Sequence, residues 1–592
     1  MLRRFSRRWS ELARRRRLVI LLAALAPLVL RAALLPWIPP PQPRVQDEFS
    51  HLLIADTFAH GRLANPVHPM WVHFETMHEL VSPVYASVFP VAHGITMAAA
   101  QVATGDRWPG VWFGIALMCG SIAWMLYGWV PPRWALAGAL LAVARFGVLS
   151  YWMNSYYGGA MAAAGGALVL GALPRMRRES GAGLRVCAAV FAIGIAILAN
   201  SRPYEGALFA LPAAAALAWM LRDRRDRAAA IVPIAIILGV TACAMSYYCA
   251  AISHHPFQLP YAYYRANFTM APHFIFQSPR PEPMYHHRVL HEFHSVWEMG
   301  CYDDARANRA PHGLVSKTVS YWRFYLGPVL TVPFLALARL WKRRRVRLLL
   351  LLGAAFAAGL AVEVWHAPHY AAPALGVCML LVIEGLRQMR TWLGGWAPAA
   401  IVAAAVCTPV VGGISPVADV RPRADVLERL RAAGGSHVVI VRYRRTHDTG
   451  DEWVYNAADI DTAPVVWARE MDPTSNRELV DYFRGRKAWL LEPDISPPRL
   501  SPYDPANLPD PPFRFVKLGT PEITVLRLTG ELRQKILSRT GGTARSCDLW
   551  NYAFTEATGV EAPDPALGCF PPGNRSRELP FEAWFGWLMT QR

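Results

Sequence analysis

The stretch from Pro43 to Glu75 reads PRVQDEFSHLLIADTFAHGRLANPVHPMWVHFE and gathers four carboxylates, four histidines and two arginines. Carboxylates and imidazoles take and give protons, and guanidiniums pair with phosphate. The first two acids, Asp47 and Glu48, directly follow an apolar run long enough to cross a bilayer. A carboxylate there is held close to the membrane surface. An isolated Asp-Glu pair is usually a pair of solvated loop acids, so the surroundings decide its meaning. Glu75, His78 and Glu79 have i, i+3, i+4 spacing, which places them on one face of any helix formed there.

Three more groups have suitable chemistry. Arg202 stands beside Glu205 at the end of another apolar run. It is placed either for bidentate phosphate recognition or for an ion pair with Glu205 and snorkelling to the surface. His366, His369 and Tyr370 fall at a short turn between two apolar runs, as candidate substrate contacts or as interfacial anchors. His286, His287, His291 and His294 include pairs at zinc-binding spacing. No further ligand accompanies them, so a chance cluster is favoured and the metal stays unknown.

The elements that must position these groups follow from charge and hydropathy. The 592-residue chain is 54% hydrophobic and 17% charged, against about 25% charged for soluble domains. Apolar runs near spanning length recur through the first 413 residues. The arginines gather in short clusters between them: eight within residues 1–17, Arg133, then 175–178, 222–227, 342–347 and 387–390. This is the positive-inside pattern. The net charge of +19 therefore belongs to topology, and no nucleic-acid module is visible. With every cluster inside, eleven spans are predicted, at about 18–38, 109–129, 133–150, 157–174, 184–200, 204–221, 228–251, 318–341, 346–364, 370–386 and 395–413. The apolar stretch 84–103 must then not cross, and reads as an interfacial or re-entrant helix. Residues 1–17 form a cytoplasmic basic segment. Loops 39–108 and 252–317 and residues 414–592 lie outside. All eighteen histidines fall on that outer side or its rim.

The pieces QDEFSHLLIADTFAHGRLANP, SPVYASVFPVAHG, NSYYGGAMAAAGGALVLGALPR, NSRPYEGALFALP and WHAPHYAAPALG, in this order across residues 18–413, resemble the GT-C superfamily of integral-membrane glycosyltransferases. The resemblance is to the protein O-mannosyltransferase and aminoarabinose-transferase branch. It implies transfer of one sugar from a polyprenyl-phosphate donor to a lipid, glycan or protein acceptor at the outer face of a bacterial inner membrane. Asp47 is then the general base, with Glu48 second, and Arg202 faces the lipid phosphate. Glu205, His366, His369, Tyr370, Glu75 and His78 are the further substrate-binding candidates. Two departures stand out. Ser87-Val88-Phe89-Pro90 lacks the basic residue often found there, and Asn154 and Tyr156 stand where many members have a second acid. The second departure weakens a carboxylate-bound metal, and a divalent cation is left open.

The loop 252–317 interleaves Tyr261, Tyr263, Tyr264, Phe293 and Trp297 with arginine and histidine, as a saccharide platform or an aromatic belt. Beyond 413 the pattern changes to helix then strand, repeated: DVLERLRAAGG, SHVVIVRY, NRELVDYFRGRKAWLLEPD and ITVLRLTG. The predicted architecture is a polytopic α-helical membrane protein of about eleven spans carrying a C-terminal α/β domain in the periplasm. Six cysteines lie in spans. Cys301, Cys547 and Cys569 lie in polar segments, and the last two enclose 21 residues that a disulfide could close. Two rivals to the transferase remain: a flippase for a lipid-linked glycan, and an envelope scaffold. Ionisable groups at the rim rather than mid-membrane disfavour the flippase.

Overall fold

The structure is a computed structural model and describes residues 2–408, 422–444, 447–471 and 473–503, with short strands at 514–518, 523–527, 543–544 and 579–580. Cys547, Cys569 and the junction near 414 lie outside the described residues. After a basic helix α1 (Leu2–Arg14) comes α2 (Arg16–Ala33), and then α3 (Gln46–Ala59), which carries the first acids. A two-stranded hairpin follows, of β1 (Glu79–Leu80) and β2 (Ala86–Ser87). Next is α4 (Ala92–Thr104), whose 13 residues are too few to cross a bilayer. It packs on α3 and on α5 (Trp108–Trp129).

The bundle continues through α6 (Pro132–Ala142), α7 (Ala160–Met176), α8 (Gly181–Ala199), α9 (Pro203–Leu221) and α10 (Ala228–Ser253). Among the described residues five helices are long and apolar enough to cross a membrane: α5, α8, α9, α10 and the 26-residue segment Pro368–Leu393. The other expected spans coincide with shorter or interrupted helices, among them α2, α7, Arg344–Ala361 and Trp396–Cys407. Small residues let the helices approach. A Cβ added at Gly165 of α7 would stand 2.9 Å from the Gly194 carbonyl of α8, and one at Gly166 would stand 2.0 Å from the Pro373 carbonyl. Only glycine allows backbones that close.

The basic clusters meet at one end. Tyr127 donates to the Ala13 carbonyl at 2.7 Å, Arg178 reaches the Gly128 carbonyl at 3.4 Å, and Arg224 donates to the Met176 carbonyl at 2.9 Å. The other end carries loops 39–108 and 252–317 and the C-terminal α/β region. That region is built on a sheet in the order β4 (Val465–Arg469), β3 (His437–Val441), β5 (Lys487–Glu492), β6 (Arg499–Pro502). The first three are parallel and β6 is antiparallel. Every residue of β3 and β4 is buried, as expected for parallel strands covered on both faces. The helices Pro422–Ala432 and Pro473–Tyr482 match the helical pattern of the sequence, whereas β4 has no counterpart in that reading.

The α/β region is docked on loop 39–108. Phe49 stacks on Tyr455 with ring centroids 4.3 Å apart, and Tyr85 donates to the Asn456 carbonyl at 3.0 Å. The Ala458 amide donates to Asp56 Oδ2 at 2.7 Å. Both segments therefore lie at the same end of the bundle.

Candidate active site

The start of α3 separates the roles of its two acids. Glu48 sits three residues into the helix and its side chain turns back. It accepts from the Arg44 and Val45 amides at 2.8 and 3.4 Å, and from the Tyr156 amide at 2.9 Å. These are orphan donors that a helix start and a tight turn otherwise leave unsatisfied. Burial pushes the Glu48 carboxyl up, and the three amides pull against it. Asp47 is not used in this way. Its side chain is 20% exposed, it borders a cavity of about 400 Å³, and its Oδ1 lies 2.7 Å from His78 Nδ1.

His78 is held from several sides. Its φ of +60° is a left-handed conformation uncommon outside glycine. Its amide donates to the Tyr264 hydroxyl at 3.0 Å, and its carbonyl accepts from the Ser50 hydroxyl at 2.6 Å. Its ring lies edge-on to Phe89 and Phe293. Strain of this kind persists where the surroundings over-determine it, often at functional sites.

Arg202 borders the same cavity from the junction of α8 and α9. Its guanidinium lies 4.2 Å above the Tyr370 ring and 3.7 Å from Glu205 Oε1. Burial alone would lower it, but Glu205, Tyr370 and Asp47 more than offset this, so it stays charged. Glu205 and Tyr370 also line the cavity. The structure thus brings together Asp47, Arg202, Glu205 and Tyr370, with His78 behind Asp47.

The other candidates stand elsewhere. His369 is buried with Nδ1 2.9 Å from the Tyr151 hydroxyl. His366 packs edge-on to His312. Glu75 is held by His286 at 2.9 Å and lies at the seam with the α/β region, where Arg469 donates to its carbonyl at 2.6 Å. Of the aromatic loop, Tyr261 reaches the cavity, while Trp297 stacks between Phe293 and Trp365.

Several lining residues were not singled out by sequence. Arg265 projects from α11 (Pro260–Phe268), pairs with Glu298 at 2.5 Å and is 3% exposed. Burial pushes the Glu298 carboxyl up, but Arg265, with His294, reverses this and holds it at about 2. Arg265 and Arg280 donate to one carbonyl oxygen, that of Ala271. Among the described residues no carboxylate pairs with Arg280, so this wall carries net positive charge. His273 lines it as well, with its imidazole lowered to about 4 by burial and Arg265. The signal available in the sequence was Arg265 one helical turn after Tyr261. Apolar lining comes from Met161 of α7 and from Met245, Tyr248 and Cys249 of α10. Asn154 accepts from Arg31 at 2.7 Å and so serves a structural contact. Among the described residues no three His, Cys, Asp or Glu side chains are arranged to hold a metal ion, so no step is assigned to a cation.

No protein-family model matches the chain, and no curated protein matches its sequence. Solved structures do match. ArnT from Cupriavidus metallidurans in the apo state aligns over 80% of this chain and 92% of its own, with 13% identity and a TM-score of 0.45. The Archaeoglobus fulgidus oligosaccharyltransferase complex with zinc and sulfate aligns over 80% and 67%, with 13% identity and a TM-score of 0.43. The archaeal oligosaccharyltransferase AglB from the same organism, in complex with an inhibitory peptide and a dolichol-phosphate, aligns over 81% and 69%, with 10% identity and a TM-score of 0.37. Values this low do not carry an activity from one chain to another, so the side chains of the cavity must supply the functional reading.

Proposed function

We propose that the chain is a membrane glycosyltransferase that moves a sugar from a polyprenyl-phosphate donor to an acceptor hydroxyl at the outer face of a bacterial inner membrane. The observation that carries the reading is one cavity with three kinds of lining: a carboxylate at Asp47, guanidiniums at Arg202, Arg265 and Arg280, and apolar side chains from α7 and α10. Each suits one part of such a substrate pair. The apolar side accepts the first units of a hydrocarbon chain. The arginines bind the phosphate and stabilise the charge that grows on it as the glycosidic bond breaks. Asp47 takes the proton of the incoming hydroxyl as that oxygen bonds to the anomeric carbon. His78 orients the Asp47 carboxylate from behind.

Glu48 takes no part in proton transfer in this scheme, since both its oxygens serve backbone amides. Glu205 keeps Arg202 in place. His366, His369 and Glu75 support the outer loops without touching substrate. The α/β region, outside the membrane with loop 39–108, admits or selects the acceptor.

The test is sugar release from polyprenyl-phosphate donors by the full chain in liposomes. Asp47→Asn keeps size and hydrogen bonding but cannot accept the proton. It is expected to lower turnover about 10²–10⁴-fold at equal expression. Near-normal turnover would remove Asp47 as the base and count against the transferase reading.

A further inference from the structure

His51 occupies a position that packing alone does not explain. It lies on α3 one turn beyond Asp47, on the same face, and borders the cavity. It is 9% exposed. Its Nδ1 is buried with no hydrogen-bond partner, and among the described residues neither ring nitrogen makes a hydrogen bond. Buried polar groups without partners are rare because each gives up its bonds to water and gains nothing. The ring cannot swing away to find one. Phe89 stacks on its face at 4.9 Å, and His93 stands edge-on at 5.3 Å.

We propose that His51 hydrogen-bonds a substrate hydroxyl inside the cavity and so helps to set which sugar-bearing substrate is accepted. The inference deepens the glycosyltransferase reading and rests on it. The choice of a hydroxyl follows from the chemistry of the ring. Burial, with His93, Arg202 and His78 nearby, holds the imidazole well below its usual value, so it is neutral. A neutral imidazole has one nitrogen that donates and one that accepts, and a hydroxyl does both. A phosphate instead calls for cations, which the arginine walls provide, and a hydrocarbon chain offers no partner. Four residues of helix rise separate Asp47 from His51 by about 6 Å along the axis. A base and a hydroxyl clamp at that spacing can address one sugar unit from a single rigid rod.

The hydroxyl belongs either to the transferred sugar or to the acceptor, and two measurements separate these sources. The first is binding of the full chain, in lipid nanodiscs, to bare decaprenyl phosphate and to decaprenyl phosphates carrying glucose, mannose, galactose or arabinose. The second is transfer from the best-bound of these to a cell-envelope glycan extract of varied concentration. His51→Phe keeps the stacked ring without its nitrogens. A contact to the donor sugar makes His51→Phe bind the preferred sugar lipid about 5- to 10-fold more weakly while its affinity for bare decaprenyl phosphate is unchanged. A contact to the acceptor leaves both affinities unchanged and raises the extract concentration needed for half-maximal transfer by a similar factor. His51→Asn, which restores a donor and an acceptor near Nδ1, should recover most of either loss. The proposal is overturned if His51→Phe equals the wild type in both measurements, or if it loses bare decaprenyl phosphate equally. A wild type that binds no sugar-bearing lipid better than bare decaprenyl phosphate, and transfers none, overturns the transferase reading and this proposal with it. That outcome is distinct because it shows without any variant.

Discussion

Asp47 and Glu48 are neighbours in the chain with different duties, and the difference comes from helix geometry. The third helical residue can turn back to the amides at the start, and the residue before it cannot. Glu48→Gln tests this. An amide side chain has a single acceptor oxygen, so it cannot serve three backbone donors from both sides. The expected loss is about 1–3 kcal/mol of stability, seen as a lower unfolding temperature in detergent, with activity falling less than for Asp47→Asn. A Glu48→Gln protein with unchanged stability and abolished transfer would reverse the two assignments. At this scale sequence reading went only part of the way. It found the acidic pair because the pair follows the first apolar run. It had no means to see that Tyr156, 108 residues on, would send its amide to Glu48.

Between elements, the pair of α11 with the segment at Glu298 illustrates how a charged wall is kept in place. Arg265 and Glu298 are both about 3% exposed and are joined at 2.5 Å. Removing one charge leaves the other buried alone. Glu298→Gln is therefore expected to destabilise the outer loops by about 3–5 kcal/mol. The pH dependence has a definite sign. The carboxyl sits at about 2 in the fold against an ordinary value of 4.5. Its contribution is complete above pH 4.5 and is lost as pH falls toward 2. Acid unfolding followed by intrinsic fluorescence should show wild type losing stability over that window, and Glu298→Gln losing less of it. Equal acid profiles would show that the pair contributes nothing. The longest helices of this bundle, α5, α8, α9 and α10, were legible because each is a continuous apolar run, and α4 was set apart by the parity of basic clusters. The strand β4 was not, because PVVWARE is short and its apolar residues do not alternate. A buried parallel strand of that length differs little from a piece of helix until its neighbours are known.

On the scale of the whole molecule, the basic clusters meet at one end, and the histidine-rich loops and the α/β region meet at the other. If the arginine end faces the cytoplasm, a reporter fused after Arg592 should be active on the outer side of the membrane. Activity confined to the cytoplasm would invert the arrangement and move the cavity to the wrong leaflet. This division was readable from composition, since it rests on where arginine and histidine fall between apolar runs. The cavity was not. Its walls come from α3, α7, α9, α10, α11 and the turn at Tyr370, and their convergence is a matter of packing rather than pattern.

The helix α3 has a load at each end. Asp47 stands at its start, and Asp56 near its finish takes the Ala458 amide of the α/β region, with Arg107 on the other oxygen at 3.0 Å. Nine residues of rise make a lever about 13 Å long. A tilt of about 4° over that length moves the far carboxylate by about 1 Å, and a misplacement of that size can cost about 100-fold in rate. Under the proposed scheme, whatever seats itself on the α/β region therefore holds the handle of the tool that takes the proton. Asp56→Ala, which touches no cavity wall, is expected to lower the maximal rate while leaving donor affinity as it was, and an unaltered rate would mean that the handle turns freely.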